Sequence, residues 1–156
     1  MYVCWSDYRN GDVDVFVANS TDRGRTWSKP MRVNTDELHN GLDQFFQWMA
    51  VDPVTGAVYV EFYDRREDPQ NRRTRMVLAR STDGGRTFTN YAWGDTQFDG
   101  RPAGDYIWLT AYNDHVYGAW TEPASAIPTQ PAANGRGAAA GPTIIRVGSA
   151  DFSKLP

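Results

Sequence analysis

Lysine is almost missing from this 156-residue chain: Lys29 and Lys154 are the only two, leaving 14 arginines among 16 basic residues. Arginine presents a planar fork suited to carboxylates and phosphates, so the bias fits an anion-binding surface, although GC-rich coding produces the same bias. Cysteine is scarcer still. Cys4 stands alone, which excludes an intrachain disulfide framework and a cysteine-based zinc site, and its apolar neighbours mark it as a buried thiol. A positive excess is absent too: the formal net charge of -3 provides no overall field to draw nucleic acid or an anionic membrane, and neither is expected as a partner. No apolar run is long enough to span a bilayer, and Met1 leads straight into Tyr2-Val3-Cys4-Trp5 without a leader-like segment. The chain is therefore expected to be soluble.

What is present is aromatic and turn-rich. An aromatic share of 13% and 14 glycines, with few long apolar runs, predict an all-β chain of short strands. A unit repeats within it. Ser20-Thr21-Asp22-Arg23-Gly24-Arg25-Thr26-Trp27 returns as Ser81-Thr82-Asp83-Gly84-Gly85-Arg86-Thr87-Phe88, and a third copy starts at Ser149-Ala150-Asp151 before losing its glycine. A second marker reads Tyr2 to Asp7, Tyr59 to Asp64 and Tyr117 to Glu122, each opening on tyrosine and closing on an acid. A third aligns Asp43 to Asp52 with Asp105 to Asp114. All three share a period of roughly 60 residues.

Within a period, an Asp-led strand, a turn, a Tyr-led strand, a loop, an apolar strand such as Val13 to Asn19 or Arg75 to Arg80, the Ser-x-Asp turn and a short last strand follow in order. Four antiparallel strands repeated radially describe a β-propeller blade. The expected boundaries are residues 1–35 for the last three strands of one blade, 43–95 for a whole blade and 105–150 for the first three strands of another. Residues 123–142, rich in Ala, Gly and Pro, read as a loop within the third. About two and a half to three blades cannot close a ring, because unpaired edges and an uncovered blade face are costly. Closure is expected to need missing blades of the same chain, or self-assembly.

The Ser-x-Asp-x-Gly-x-Thr-Trp/Phe pattern resembles the Asp-box, or BNR repeat, of sialidase-like propellers. That resemblance gives Ser20, Asp22, Gly24, Thr26 and Trp27, and Ser81, Asp83, Gly85, Thr87 and Phe88, a structural task. The Asp carboxylate accepts backbone N–H bonds in a tight turn, glycine supplies a backbone angle barred to other residues, and the aromatic plugs between sheets. Function is then expected at the opposite end of the blades, where Asp7, Arg9, Asp12, Glu37, His39, Asp43, Asp64, Arg65, Arg66, Asp68, Arg101 and Asp105 gather around the mouth of a central channel. Asp43, Asp105 and Tyr106, at the start of the innermost strands, are the catalytic candidates. Arg65, Arg66, Arg101, Arg9 and Asp64 are the substrate-binding candidates, since arginines gripping an acidic sugar beside a carboxyl acid are what glycoside cleavage uses. Recurrence of Asp43 as Asp105 equally fits a blade-building role, and rim charges equally pair with one another.

No metal or other cofactor is required by this reading. The stretch Asp7 to Asp14 concentrates oxygen ligands that suit Ca²⁺, but it lacks the glutamate and spacing of an EF-hand loop and reads as an Asn10-Gly11 hairpin. His39 and His115 are isolated.

Over nearly its whole length the chain looks like bacterial sialidase-like, BNR-repeat glycosyl hydrolases, most clearly in Trp5-Ser6-Asp7-Tyr8-Arg9-Asn10-Gly11, Tyr63-Asp64-Arg65-Arg66-Glu67-Asp68-Pro69 and Gly104-Asp105-Tyr106-Ile107. The resemblance implies a fragment of a six- or seven-bladed propeller, secreted, periplasmic or on the cell surface, acting on a glycan or sialoglycoconjugate. Two functions follow: an exo-glycosidase that releases terminal sugars, or a non-catalytic propeller that binds glycan or protein. The Arg-Ile-Pro motif of true sialidases is absent, and no Tyr and Glu match their nucleophile pair.

Overall fold

Ten strands and no helix make up the described part of the chain in the computed structural model, which covers residues 1–94, 97–98, 106–124 and 143–155. They form three antiparallel sheets. The first contains β1 (Tyr2–Asp7), β2 (Asp14–Asn19) and β3 (Met31–Arg32). The second contains β4 (Gln44–Val51), β5 (Val58–Asp64), β6 (Arg75–Ser81) and β7 (Thr89–Ala92). The third contains β8 (Trp108–Tyr112), β9 (His115–Pro123) and β10 (Thr143–Asp151). In each sheet, strands consecutive in sequence are neighbours, and no closed barrel forms among the described residues.

Period-two alternation decides how the sheets stack. β5 is buried on both faces. Val58, Val60 and Phe62 turn toward the first sheet and pack with Val15, Val17 and Val33. Tyr59 and Tyr63 turn the other way, Tyr59 against Leu109 and Val116 and Tyr63 against Ile107 and Trp120. The second sheet is thus the filling of a three-layer stack. Edge strands β1, β4 and β8 lie beside one another along one side of that stack.

The two repeated turns have closely matched geometry. Ser20 Oγ accepts from Gly24 N at 2.8 Å and donates to Asp22 Oδ1, while Asp22 accepts from Thr26 N at 2.9 Å and Thr26 Oγ1 at 2.6 Å. Ser81, Gly85, Asp83 and Thr87 repeat the set at 2.9, 2.8, 3.0 and 2.6 Å. Gly24 and Gly85 have φ of 84° and 83°, where a Cβ would be strained. The threonine side chain, with help from its backbone N–H, holds the Asp22 carboxyl down at about 2. The aromatics that follow differ. Phe88 packs into the core between the first two sheets, whereas Trp27 is 41% exposed, because no sheet of the described residues lies on that side of the first.

The third sequence marker needs a correction of register. Trp48 pairs with Glu61 and Trp108 with Ala119, and these partners occupy the same position of the Tyr59-led and Tyr117-led strands. Trp48 is therefore the counterpart of Trp108, not of Thr110. A β-bulge between Phe45 and Trp48 inserts an extra residue into β4 and displaces the alignment.

Candidate functional site

Where the first and second sheets meet, near the start of β4, a polar network fills the seam. Asn34 donates through Nδ2 to Asp14 Oδ1 at 2.6 Å, Asp36 Oδ1 at 2.8 Å and Gln44 Oε1 at 2.5 Å. Arg32 reaches Asp14 at 2.6 Å and Asp36 at 2.9 Å. Gln44 passes the network to Asp64, whose other oxygen accepts from Arg66 Nε at 2.5 Å, and Arg66 continues to Asn90 and Thr35. Asp14, Asn34, Gln44 and Asp64 are all buried. Removing one member would leave uncompensated charge in a low dielectric, so the network clasps the two sheets together.

The residues singled out from sequence enter this picture unequally. Arg66 and Asp64 belong to the clasp. Arg9 repeats their arrangement two residues after Asp7: its N, Nε and Nη2 all donate to that carboxylate, and its guanidinium lies 4.3 Å from the Phe16 ring centroid. The Arg9 side chain beside it holds the Asp7 carboxyl far below the usual range. Asp43 accepts from Val13 N at 3.1 Å and from Asn71 Nδ2 at 2.8 Å, fastening two loops. Arg65 stacks 4.9 Å from the Phe45 ring centroid, donates to Asn71 O, and stands 3.8 Å from Asp43. Arg101 and Asp105 lie outside the described residues. Asp12 and Asp68 also receive loop backbone N–H groups. No three acidic, histidine or cysteine side chains among the described residues converge as a metal site requires; Asp7, Asp12 and Asp14 turn to Arg9, Gly41 N and Arg32 instead.

Tyr106 is the exception to this internal pairing. It is 82% exposed and lines a pocket of about 370 Å³ with Ser6, Phe46, Gln47, Trp48 and Ile107, spanning the inner edges of all three sheets. The bulge in β4 builds the pocket. Phe46 has φ of +57°, a conformation that costs a bulky residue about 1–3 kcal/mol and persists only where its surroundings enforce it. Its ring sits 6.0 Å from that of Tyr63 yet remains 39% exposed, and Trp48 is 43% exposed beside it. Gln47, the other bulged residue, accepts a hydrogen bond from Ser6 Oγ at 3.1 Å through Oε1. Its amide N–H groups are left to donate elsewhere.

Phe46, Gln47, Trp48 and Ser6 were not among the sequence candidates. A signal was available: Gln44-Phe45-Phe46-Gln47-Trp48 breaks strict alternation, as a bulged strand does.

No protein-family model matches the chain, and no curated protein matches it. Among solved structures it is similar to a Hadza microbial sialidase, Hz136, at 19% identity and a TM-score of 0.46, over 70% of this chain and 26% of that one. It is also similar to a protein of unknown function from Dyadobacter fermentans, at 21% identity and a TM-score of 0.48, over 78% of this chain and 31% of that one. The chain spans less than a third of the length of either structure.

Proposed function

We propose that the three sheets are successive blades of a sialidase-like Asp-box β-propeller, exported from the cell, and that the pocket at their inner edges binds a glycan. One observation carries the binding reading: Phe46, Trp48 and Tyr106 converge on a single pocket, with Phe46 held there in a strained conformation. Flat aromatic faces with a few polar groups suit the alternating C–H and hydroxyl surface of a sugar ring. A glycan array probed with the chain and with Trp48→Ala tests it. Binding to at least one glycan, lost in the variant, is expected; an array without signal overturns the reading.

A second reading, exo-glycosidase activity on terminal sugars, is favoured by the exposed phenol of Tyr106 on the pocket wall, next in sequence to Asp105. Asp43 and Asp105 are its carboxyl candidates, and Arg9, Arg65, Arg66, Arg101 and Asp64 its substrate-binding candidates. Release of fluorophore from a panel of 4-methylumbelliferyl glycosides, abolished by Tyr106→Phe, would establish hydrolysis; no turnover on any of them would leave binding alone.

A further inference from the structure

We infer that the pocket bounded by Phe46, Gln47, Trp48 and Tyr106 takes an uncharged hexopyranose rather than an acidic sugar. The inference rests on the glycan-binding reading and narrows its ligand class. Among the described residues, none of the lining side chains, Ser6, Phe46, Gln47, Trp48, Tyr106 and Ile107, is ionic. A sugar carboxylate pressed against two aromatic rings and an isoleucine would lose water without gaining a counter-ion, which is the costly case for a buried charge.

Of the arginines singled out from sequence, the three described ones that could approach are held by other partners, and Arg101 lies outside the described residues. Arg9 is engaged by Asp7 through its guanidinium Nε and Nη2, Arg66 by Asp64, and Arg65 by Asn71 O and the face of Phe45. Turning any of them toward the pocket would strip a carboxylate or carbonyl of its donor. The polar groups that the described residues offer the pocket are neutral. Gln47 retains its amide N–H groups because its oxygen is taken by Ser6, and the Tyr106 hydroxyl can donate or accept. Amide and hydroxyl partners match sugar hydroxyls, and Phe46 and Trp48 match the C–H face of a ring. A volume of about 370 Å³ falls at the small end of ligand sites, the range of one or two sugar rings.

Saturation-transfer NMR with three probes tests this: methyl β-D-glucopyranoside, methyl β-D-galactopyranoside and the methyl α-glycoside of N-acetylneuraminic acid. Transfer to the ring C–H protons of a neutral glycoside is expected, weaker by about tenfold in Trp48→Ala and partly retained in Trp48→Phe, which keeps a ring. The Trp48→Phe arm guards against a folding defect, as does comparison of thermal unfolding across the variants. Equal or stronger transfer to the sialoside, sensitive to Trp48, overturns the neutral-sugar inference while the glycan-binding reading stands. Transfer to none of the probes, or transfer indifferent to Trp48, overturns both.

Discussion

Gly118 and Gly148 face each other across β9 and β10, and the indole of Trp93 lies over both. A methyl group on Gly118 would stand 2.5 Å from Glu61 Oε2 and 2.8 Å from Trp93 Cη2; one on Gly148 would collide with Trp93 Nε1 and approach Trp120 Cη2 to 2.8 Å. The paired glycines form a socket in the third sheet, into which the second sheet inserts a tryptophan and a glutamic acid. Gly148→Ala and Gly118→Ala are each expected to cost about 1–3 kcal/mol by overpacking, measured by urea unfolding. Because Gly118 is also crowded by Glu61, Glu61→Ala should recover part of the Gly118→Ala loss, and strictly additive losses would show that the two do not share the socket.

The glutamic acid in that socket makes stability fall with rising pH. Glu61 is fully buried, neither carboxyl oxygen has a hydrogen-bond partner among the described residues, and burial pushes it up to about 9. Tyr59 and Tyr63 flank it two residues away on its own strand, and neither is cationic at neutral pH. The folded state keeps the proton that the unfolded chain gives up above its ordinary value of 4.5, so stability is lost as pH rises from there toward 9, by at most about 1.4 kcal/mol per unit. Denaturant midpoints from pH 5 to 8.5 should decline in the native chain and flatten in Glu61→Gln. An identical slope in both would remove Glu61 as the cause.

At acid pH the sign reverses. Burial works to raise Asp52, but the backbone N–H groups of Asp114, Val54, Asn113 and Thr55 prevail and hold it at about 2. Its contribution is complete above its ordinary value of 3.8 and disappears as pH falls through 2. Asp52→Asn should therefore lower stability at pH 6 and narrow the difference from the native chain at pH 2, as followed by circular dichroism.

The second repeated turn is expected to matter more than the first. Asp83→Ala removes bonds from Arg86 N, Thr87 N, Thr87 Oγ1 and Ser81 Oγ in a turn whose Phe88 packs into the core, a loss of about 1–2 kcal/mol. Asp22→Ala acts on a turn whose Trp27 is exposed, and thermal unfolding should register the smaller change. A larger effect from Asp22 would contradict this ranking. Neither variant should alter glycan binding before it alters stability.

Phe46→Gly separates stability from function. Glycine tolerates the positive φ, so relief of strain should offset the lost packing on Tyr63 and leave the unfolding midpoint within about 1 kcal/mol of the native one. Glycan binding should fall, since half of the aromatic pair is gone. Unchanged binding on the array would take Phe46 out of the site.

The outward face of the third sheet should drive association. Trp108, Tyr117, Ile145 and Val147 are exposed on it, and Tyr117 repeats the position at which Tyr59 is buried by a neighbouring sheet. Light scattering is expected to show oligomers of the chain at micromolar concentration, shifted toward monomer by Ile145→Lys with Val147→Lys. A well-behaved monomer of the native chain would mean that this face needs no cover.

Much of the scaffold was legible because it is local. Ser20, Asp22, Gly24 and Thr26 close a turn among themselves, so their spacing states the geometry, and the alternation of Val58 to Asp64 states which side chains point which way. Repetition added the order and antiparallel pairing of the strands, since each unit can bury its faces only against a copy of itself. Tertiary structure decided the rest, through contacts between residues far apart in sequence. A bulge at Phe46 and Gln47 brings them to Ser6 and Tyr106, and composition cannot reveal that Arg9 and Arg66 are occupied by Asp7 and Asp64. Glu61 was nearly visible, as the one charged residue where the sister strands carry Cys4 and Ala119. That it stays buried without a hydrogen-bond partner among the described residues depends on Gly118 leaving room for it from another sheet, a matter of shape that only the packed sheets determine.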